Sequence, residues 1–203
     1  MSQDIEKDAV PLVQHLFAEL DFPLIGQYYI CMTLLGGITV NINGMEIERK
    51  FMIEMPGKAF LESLDGTEIS QTYLLGEKGS NERVRKRGRG DDFVYTHTIK
   101  YKISDMVRRE DEREISREEY ETLLLRADPE RNTIYKTRYC YEYAGAMWEI
   151  DVFPFWQDKA FMEIELSSEN ETVVFPDNIR VIRELTEDKR YTNAAMAKRI
   201  PED

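Results

Sequence analysis

Between residues 45 and 168, apolar and polar positions alternate with a period of two. They do so in short runs rich in aromatic and β-branched residues, separated by Gly, Pro, Asn and Asp. This is the pattern of half-buried strands. It predicts eight of them, near 45–54, 70–76, 81–88, 92–103, 108–115, 134–143, 146–153 and 161–168. Several gaps are of hairpin length, such as Arg89-Gly90-Asp91-Asp92 and Ala144-Gly145. Helical spacing interrupts the series once. Ser116 followed by Glu119 forms a capping box; Tyr120, Leu123, Leu124 and Ala127 then share one face, and Asp128-Pro129 stops the run. A last helix is predicted near 190–199, and the chain carries no internal repeat.

The polar positions of these strands carry like charges two residues apart, so both members of a pair point to the same face. Glu46 with Glu48, Glu110 with Glu112, Glu149 with Asp151, and Glu163 with Glu165 are acidic pairs. Arg83 with Arg85 and Arg87, Lys100 with Lys102, and Lys136 with Arg138 are cationic. Any one pair reads most simply as a solvated surface. Seven strands with segregated signs go further, because like charges on one face repel and mixed signs would relieve them. Eight strands closed into a barrel enclose a narrow interior, where so many charges require compensating ions. Clustered carboxylates with few His or Cys suit a hard divalent cation, Mg²⁺ or Mn²⁺. Arg and Lys in such numbers suit a polyanion. Together they describe a phosphate chain gripped by cations on one side and joined through divalent metal to carboxylates on the other, as phosphoryl transfer requires. No GxxxxGK loop is present, so side chains must hold the phosphates.

Composition narrows the alternatives. The 203 residues carry a net charge of −12, which argues against a nucleic-acid or anionic-membrane binder. Hydrophobic residues at 42% and charged residues at 33% fit a folded soluble domain. Cys31 and Cys140 lie far apart, without a CxxC spacing, so neither a disulfide framework nor a zinc ribbon is indicated and a reducing cytoplasm fits best. With only His15 and His97 in the chain, a His-based triad or metal site is poorly supplied. Residues 1–44 read as an N-terminal extension to a domain spanning 45–203, with Met45 as an alternative native start. The uncharged run 22–45 is long enough to span a bilayer. It carries Gln27, Asn41, Asn43 and several glycines between acidic flanks, however, and a span or a secretory signal is not expected.

Glu46-Ile47-Glu48-Arg49-Lys50 resembles the ExExK signature of the CYTH superfamily, the triphosphate tunnel metalloenzymes. The resemblance continues in order through Gln71-Thr72-Tyr73-Leu74, Arg83-Val84-Arg85, Thr98-Ile99-Lys100 and Lys136-Thr137-Arg138-Tyr139. It runs on through Glu149-Ile150-Asp151-Val152-Phe153 and Glu163-Ile164-Glu165 to the segment from Thr186 to Asn193, and so covers residues 45–203. It implies an α+β protein: an eight-stranded antiparallel β-barrel, or triphosphate tunnel, with flanking helices and a C-terminal plug helix. Among the family's activities, the small bacterial members are similar to inorganic tripolyphosphatases. The resemblance therefore implies a phosphoric anhydride hydrolase that removes the terminal phosphate of tripolyphosphate with Mg²⁺ or Mn²⁺, two ions in number.

Carried onto this chain, the family pattern assigns metal binding to Glu46, Glu48, Glu163 and Glu165, with Glu112 and Asp151 as helpers. It assigns phosphate binding to Lys50, Arg83, Arg85, Lys100, Lys136, Arg138 and Lys189. Glu48, Lys50, Lys136 and Tyr73 are the expected catalytic group, Tyr73 in a positioning role that competes with a plain core reading. Two rivals stand beside the hydrolase: a class IV-type adenylate cyclase acting on a nucleoside triphosphate, and a binding module without turnover. A homodimer stays open. Lys86, Arg87 and Arg89 read as turn-flanking surface charges, Trp148 and Trp156 as wall residues, Cys140 as a filler, and His97 as pointing away from the chemistry.

Overall fold

The computed structural model describes residues 47–77, 80–102, 108–168 and 170–202. Nine antiparallel strands form one sheet: β1 (Ile47–Glu54), β2 (Gly66–Tyr73), β3 (Ser80–Arg89), β4 (Asp92–Lys102), β5 (Arg108–Ile115), β6 (Ile134–Tyr143), β7 (Ala146–Val152), β8 (Lys159–Leu166) and β9 (Val181–Glu184). Their order is β5-β4-β3-β2-β6-β7-β8-β1-β9. All eight expected strands are present. The start of β2 lies earlier than expected, because Gly66 sits inside the ladder opposite Tyr139. A Cβ there would come 2.8 Å from the Tyr139 ring, so the glycine marks a close approach and not a turn.

Two expectations are corrected. The sheet has a ninth strand, β9, which pairs with β1 across a register shift between Met52 and Ile53. Four residues beside a bulge carry too short an alternation to be legible. Among the described residues the pairings run from the β5 edge to the β9 edge without joining them, so what is seen of the expected closed eight-stranded barrel is an antiparallel sheet of nine strands.

Among the described residues three short helices accompany the sheet: α1 (Lys58–Glu62), α2 (Arg117–Leu124) and α3 (Asn193–Lys198), the last preceded by a 3-10 turn at Lys189–Tyr191. The capping box forms as predicted, with the Glu119 N–H donating to Ser116 Oγ at 3.1 Å. Thr192 caps α3 in the same way, accepting from the Ala195 N–H at 3.2 Å.

The sheet has two unlike faces. One is lined by Phe51, Ile53, Trp148, Ile150, Ala160, Met162 and Ile164, and farther along by Val84 and Ile115 under Tyr120 of α2. The other carries the paired charges and turns apolar at one end. There Met52, Tyr73, Ile134, Phe153 and Phe161 pack with Trp156, Leu185, Tyr191, Met196 and Ala197. The 3-10 turn and α3 thus cover the apolar end of the charged face, and Trp156 belongs to that floor and not to the outer wall. Among the described residues no helix is long and apolar enough to cross a membrane. The run 22–45 and the expected extension lie outside the described residues.

Candidate active site

Strand register carries the charged pairs onto one face from β1 to β5. Glu48 stands opposite Glu165, and Lys50 opposite Glu163. Glu163 in turn faces Glu149, and Asp151 faces Arg138. Beyond β6, Tyr73 and Gln71 of β2 stand opposite Arg83 and Arg85 of β3, Arg83 faces Thr98, and Thr98 faces Glu112. Carboxylates from β1, β7 and β8 therefore meet cations from β6 and β3, with a further carboxylate arriving from β5.

The charges engage one another. Lys50 Nζ lies 2.7 Å from Glu163 Oε1. Arg138 donates to both oxygens of Asp151 at 2.7 Å, to Glu163 Oε2 at 2.8 Å, and to Glu149. Lys136 donates to Asp151, whose side chain is fully enclosed. Arg83 lies 3.8 Å from Glu112, and Thr98 donates to Glu112 at 2.6 Å. Pairing of this kind is what permits such charges to be buried.

The balance differs from group to group. Burial raises Asp151, but Lys136 and Arg138 outweigh it and hold the carboxyl below its ordinary value. Burial pulls the Lys136 ammonium down despite Asp151. Arg138 is also pulled down by burial, yet its bonds to Asp151 prevail and raise it. Glu48 is different. Solvent reaches its side chain, but surrounding protein, followed by the charge of Glu163, pushes its carboxyl up to about 7. Cationic charge is under-supplied around Glu48, the condition a bound cation would relieve.

A second corner lies where β2 meets β3. Gln71 and Tyr73 are each 2% exposed. Gln71 Nε2 donates to the Tyr73 hydroxyl at 2.7 Å, and Arg85 donates to Gln71 Oε1 at 3.3 Å. Burial raises the Tyr73 phenol, against the nearby cations, and lowers the Arg85 guanidinium, with Arg83 adding to the effect. The sequence names Gln71 only within the family resemblance and assigns it no role. A neutral amide gives no charge pattern, and only its place two residues before Tyr73 on the charged face marks it.

Of the residues expected in the site, the face brings together Glu48, Lys50, Tyr73, Arg83, Arg85, Glu112, Lys136, Arg138, Asp151, Glu163 and Glu165. Lys100 shares it, opposite Asn81. Lys189 is exposed on the 3-10 turn. Glu46 lies outside the described residues, as do the side chains of Lys102 and Glu110. His97 is on the opposite face, 2.9 Å from Glu82, which Arg126 also grips.

The donor set fits a hard divalent cation in kind, being carboxylate oxygen throughout. Among the described residues no three such side chains yet converge closely enough to enclose an ion. Lys50, Lys136 and Arg138 hold Glu163 and Asp151 instead.

No family model matches the chain. It is 34% identical over 156 residues to an inorganic triphosphatase of Acetivibrio thermocellus, covering 76% of this chain and 94% of the relative. It is 32% identical over 158 residues to an inorganic triphosphatase of Nitrosomonas europaea, covering 77% and 99%. Among solved structures, the inorganic triphosphatase NE1496 aligns with a TM-score of 0.53 at 30% identity, over 78% of this chain and 97% of that one.

Proposed function

The chain belongs to the inorganic triphosphatase family within the CYTH superfamily, and from that premise we propose that it hydrolyses the terminal phosphate of a linear inorganic triphosphate with the help of a divalent cation. The observation that carries the reading is the single face on which Lys50, Arg83, Arg85, Lys100, Lys136 and Arg138 stand among Glu48, Glu112, Asp151, Glu163 and Glu165. A linear triphosphate presents several anionic oxygens in a row. The cations supply the opposite charge along the face, and the carboxylates suit the metal that accompanies such a chain. We read this face as the wall of the tunnel implied by the family resemblance, with the floor around Tyr191 and Met196 as its plugged end.

In this reading Glu48, Glu163 and Glu165 hold Mg²⁺ or Mn²⁺, aided by Asp151, Glu112 and Glu46. The cation, when bound, neutralises phosphate charge and lowers the pKa of water. Lys50, Arg83, Arg85, Lys100, Lys136 and Arg138 align the chain and stabilise the charge that gathers on its oxygens in an in-line displacement. Water oxygen bonds to the terminal phosphorus, the bridging P–O bond breaks, pyrophosphate leaves with the bridging oxygen, and one proton is released. Lys189 lies near the plugged end and contributes to the grip from there. On ligand binding the cations now on Glu163 and Asp151 would turn to phosphate, freeing the carboxylates that would hold the metal.

The test is release of orthophosphate and pyrophosphate from tripolyphosphate, ATP and thiamine triphosphate, each with Mg²⁺, Mn²⁺ or EDTA. Metal-dependent orthophosphate release that is fastest from tripolyphosphate supports the reading. Pyrophosphate from ATP, or binding without turnover, overturns it.

A further inference from the structure

The corner formed by Gln71, Tyr73 and Arg85 has a fixed hydrogen-bond polarity. A guanidinium only donates, so the oxygen of the Gln71 amide must face Arg85, at 3.3 Å. The amide nitrogen then faces Tyr73, at 2.7 Å, and the Tyr73 oxygen is obliged to accept. The reverse orientation of the amide would set donor against donor at Arg85. With its oxygen accepting from Gln71, the Tyr73 hydroxyl has its own hydrogen still to place. The cations that act on the phenol are Arg83, Arg131 and Arg85, with Arg131 stacked over its ring at 5.1 Å from the centroid. None of them accepts a hydrogen bond. Arg85 Nε is likewise buried without an acceptor. A buried donor left unpaired is costly, and this corner is short of acceptors on two counts. An anionic oxygen supplies both.

We propose that Gln71 is a positioning residue that fixes the direction of the Tyr73 hydroxyl, turning its O–H onto an oxygen of the bound triphosphate beside Arg85. The proposal rests on the reading of the charged face as a triphosphate site. Gln71 does not touch the reacting atoms. It acts through Tyr73 and through the guanidinium that it steadies.

The test is a double-mutant cycle in the full chain. In Gln71→Glu the new carboxylate accepts from both Arg85 and Tyr73, so the hydroxyl turns away from the ligand, and kcat/KM for tripolyphosphate falls about 10- to 100-fold. Gln71→Met keeps the length of the side chain, loses both bonds and falls less. In a Tyr73→Phe background, where there is no hydroxyl to direct, each Gln71 substitution costs several-fold less than in the wild type. An independent reading comes from ¹³Cζ-labelled tyrosine. The Tyr73 signal shifts on addition of tripolyphosphate in the wild type and stays in place in Gln71→Met. Equal losses in the two backgrounds, or a Gln71→Met protein that keeps the full signal shift and activity, overturn the proposal. A wild type that hydrolyses no triphosphate would instead overturn the function itself. Should Gln71→Glu fail to fold, Gln71→Met carries the cycle.

Discussion

Arg138 of β6 reaches across the intervening strand β7 and donates from Nη2 to Glu163 of β8 at 2.8 Å. The same guanidinium holds Asp151 and Glu149 on β7, so one side chain links three strands and donates to three carboxylates. A lysine offers a single point of charge and cannot make this fork. The group that grips the ligand in the proposed function therefore also holds the ligand-free sheet together.

Arg138→Leu leaves Asp151 and Glu163 buried with one cation fewer. Breaking a buried network from one side costs about 3–5 kcal/mol, and the urea midpoint is expected to fall accordingly. Arg138→Lys recovers part of the loss. A Leu variant as stable as the wild type would mean that these pairs contribute nothing to the fold.

Glu48→Gln removes a candidate metal ligand with almost no change in volume. Its carboxyl is raised to about 7 by surrounding protein and by Glu163, so the metal-free fold gains by its neutralisation. Turnover of tripolyphosphate is expected to be lost while the urea midpoint at neutral pH is kept or raised. Retained activity with Mg²⁺ would remove Glu48 from the site.

These residues were legible because charge obeys the same period of two as burial. Arg83 with Arg85, or Glu163 with Glu165, fixes a face without any knowledge of the partner strand, and the capping box at Ser116 fixes a helix start from two residues. Gln71 was not legible in this way, since an amide acquires its role only through the Arg85 and Tyr73 that register brings beside it. Nor was β9, because four residues paired across a bulge owe their strand to β1 and not to their own pattern. Glycine misled at Gly66, where the requirement is room for Tyr139. Closure of the sheet is a property of its edges, and alternation within a strand says nothing about which edges meet.

Asp188 joins the C-terminal turn to the sheet. It accepts from the Arg190 side chain at 2.8 and 2.6 Å, from the Arg190 N–H at 3.2 Å, and from Arg183 at 3.4 Å. Arg190 first, over an opposing effect of burial and with help from Arg183, holds its carboxyl well below the ordinary 3.8. A depressed carboxyl stabilises the fold above its unfolded value, and the contribution fades as pH falls below about 4. Asp188→Asn should therefore be less stable than the wild type at pH 7, with the gap narrowing as the pH is lowered towards about 2. Urea midpoints across that range measure it, and a gap constant with pH would show that the ionised carboxylate is not what Arg190 and Arg183 hold.

Thr186 ties the start of the C-terminal segment to Lys50. The Lys50 N–H donates to Thr186 Oγ1 at 3.1 Å, and the Lys50 carbonyl accepts from the Leu185 N–H at 2.7 Å. Thr186 donates to Glu184 at 2.7 Å, and Arg49 clamps Glu184 through two bonds of 2.8 and 2.6 Å. Both backbone groups of Lys50 are thus held by residues that follow β9, which fixes where its ammonium emerges on the charged face. Thr186→Val keeps the shape and loses the acceptor, at a cost of about 1 kcal/mol. Because Lys50 is read as a phosphate grip that also stabilises charge in the displacement, KM for tripolyphosphate should rise and kcat should fall with it. Thr186→Ser restores the hydroxyl and should restore KM. If Ser and Val raise KM alike, the methyl group and not the hydroxyl is what matters, and the link from the C-terminal segment to Lys50 does not run through this bond.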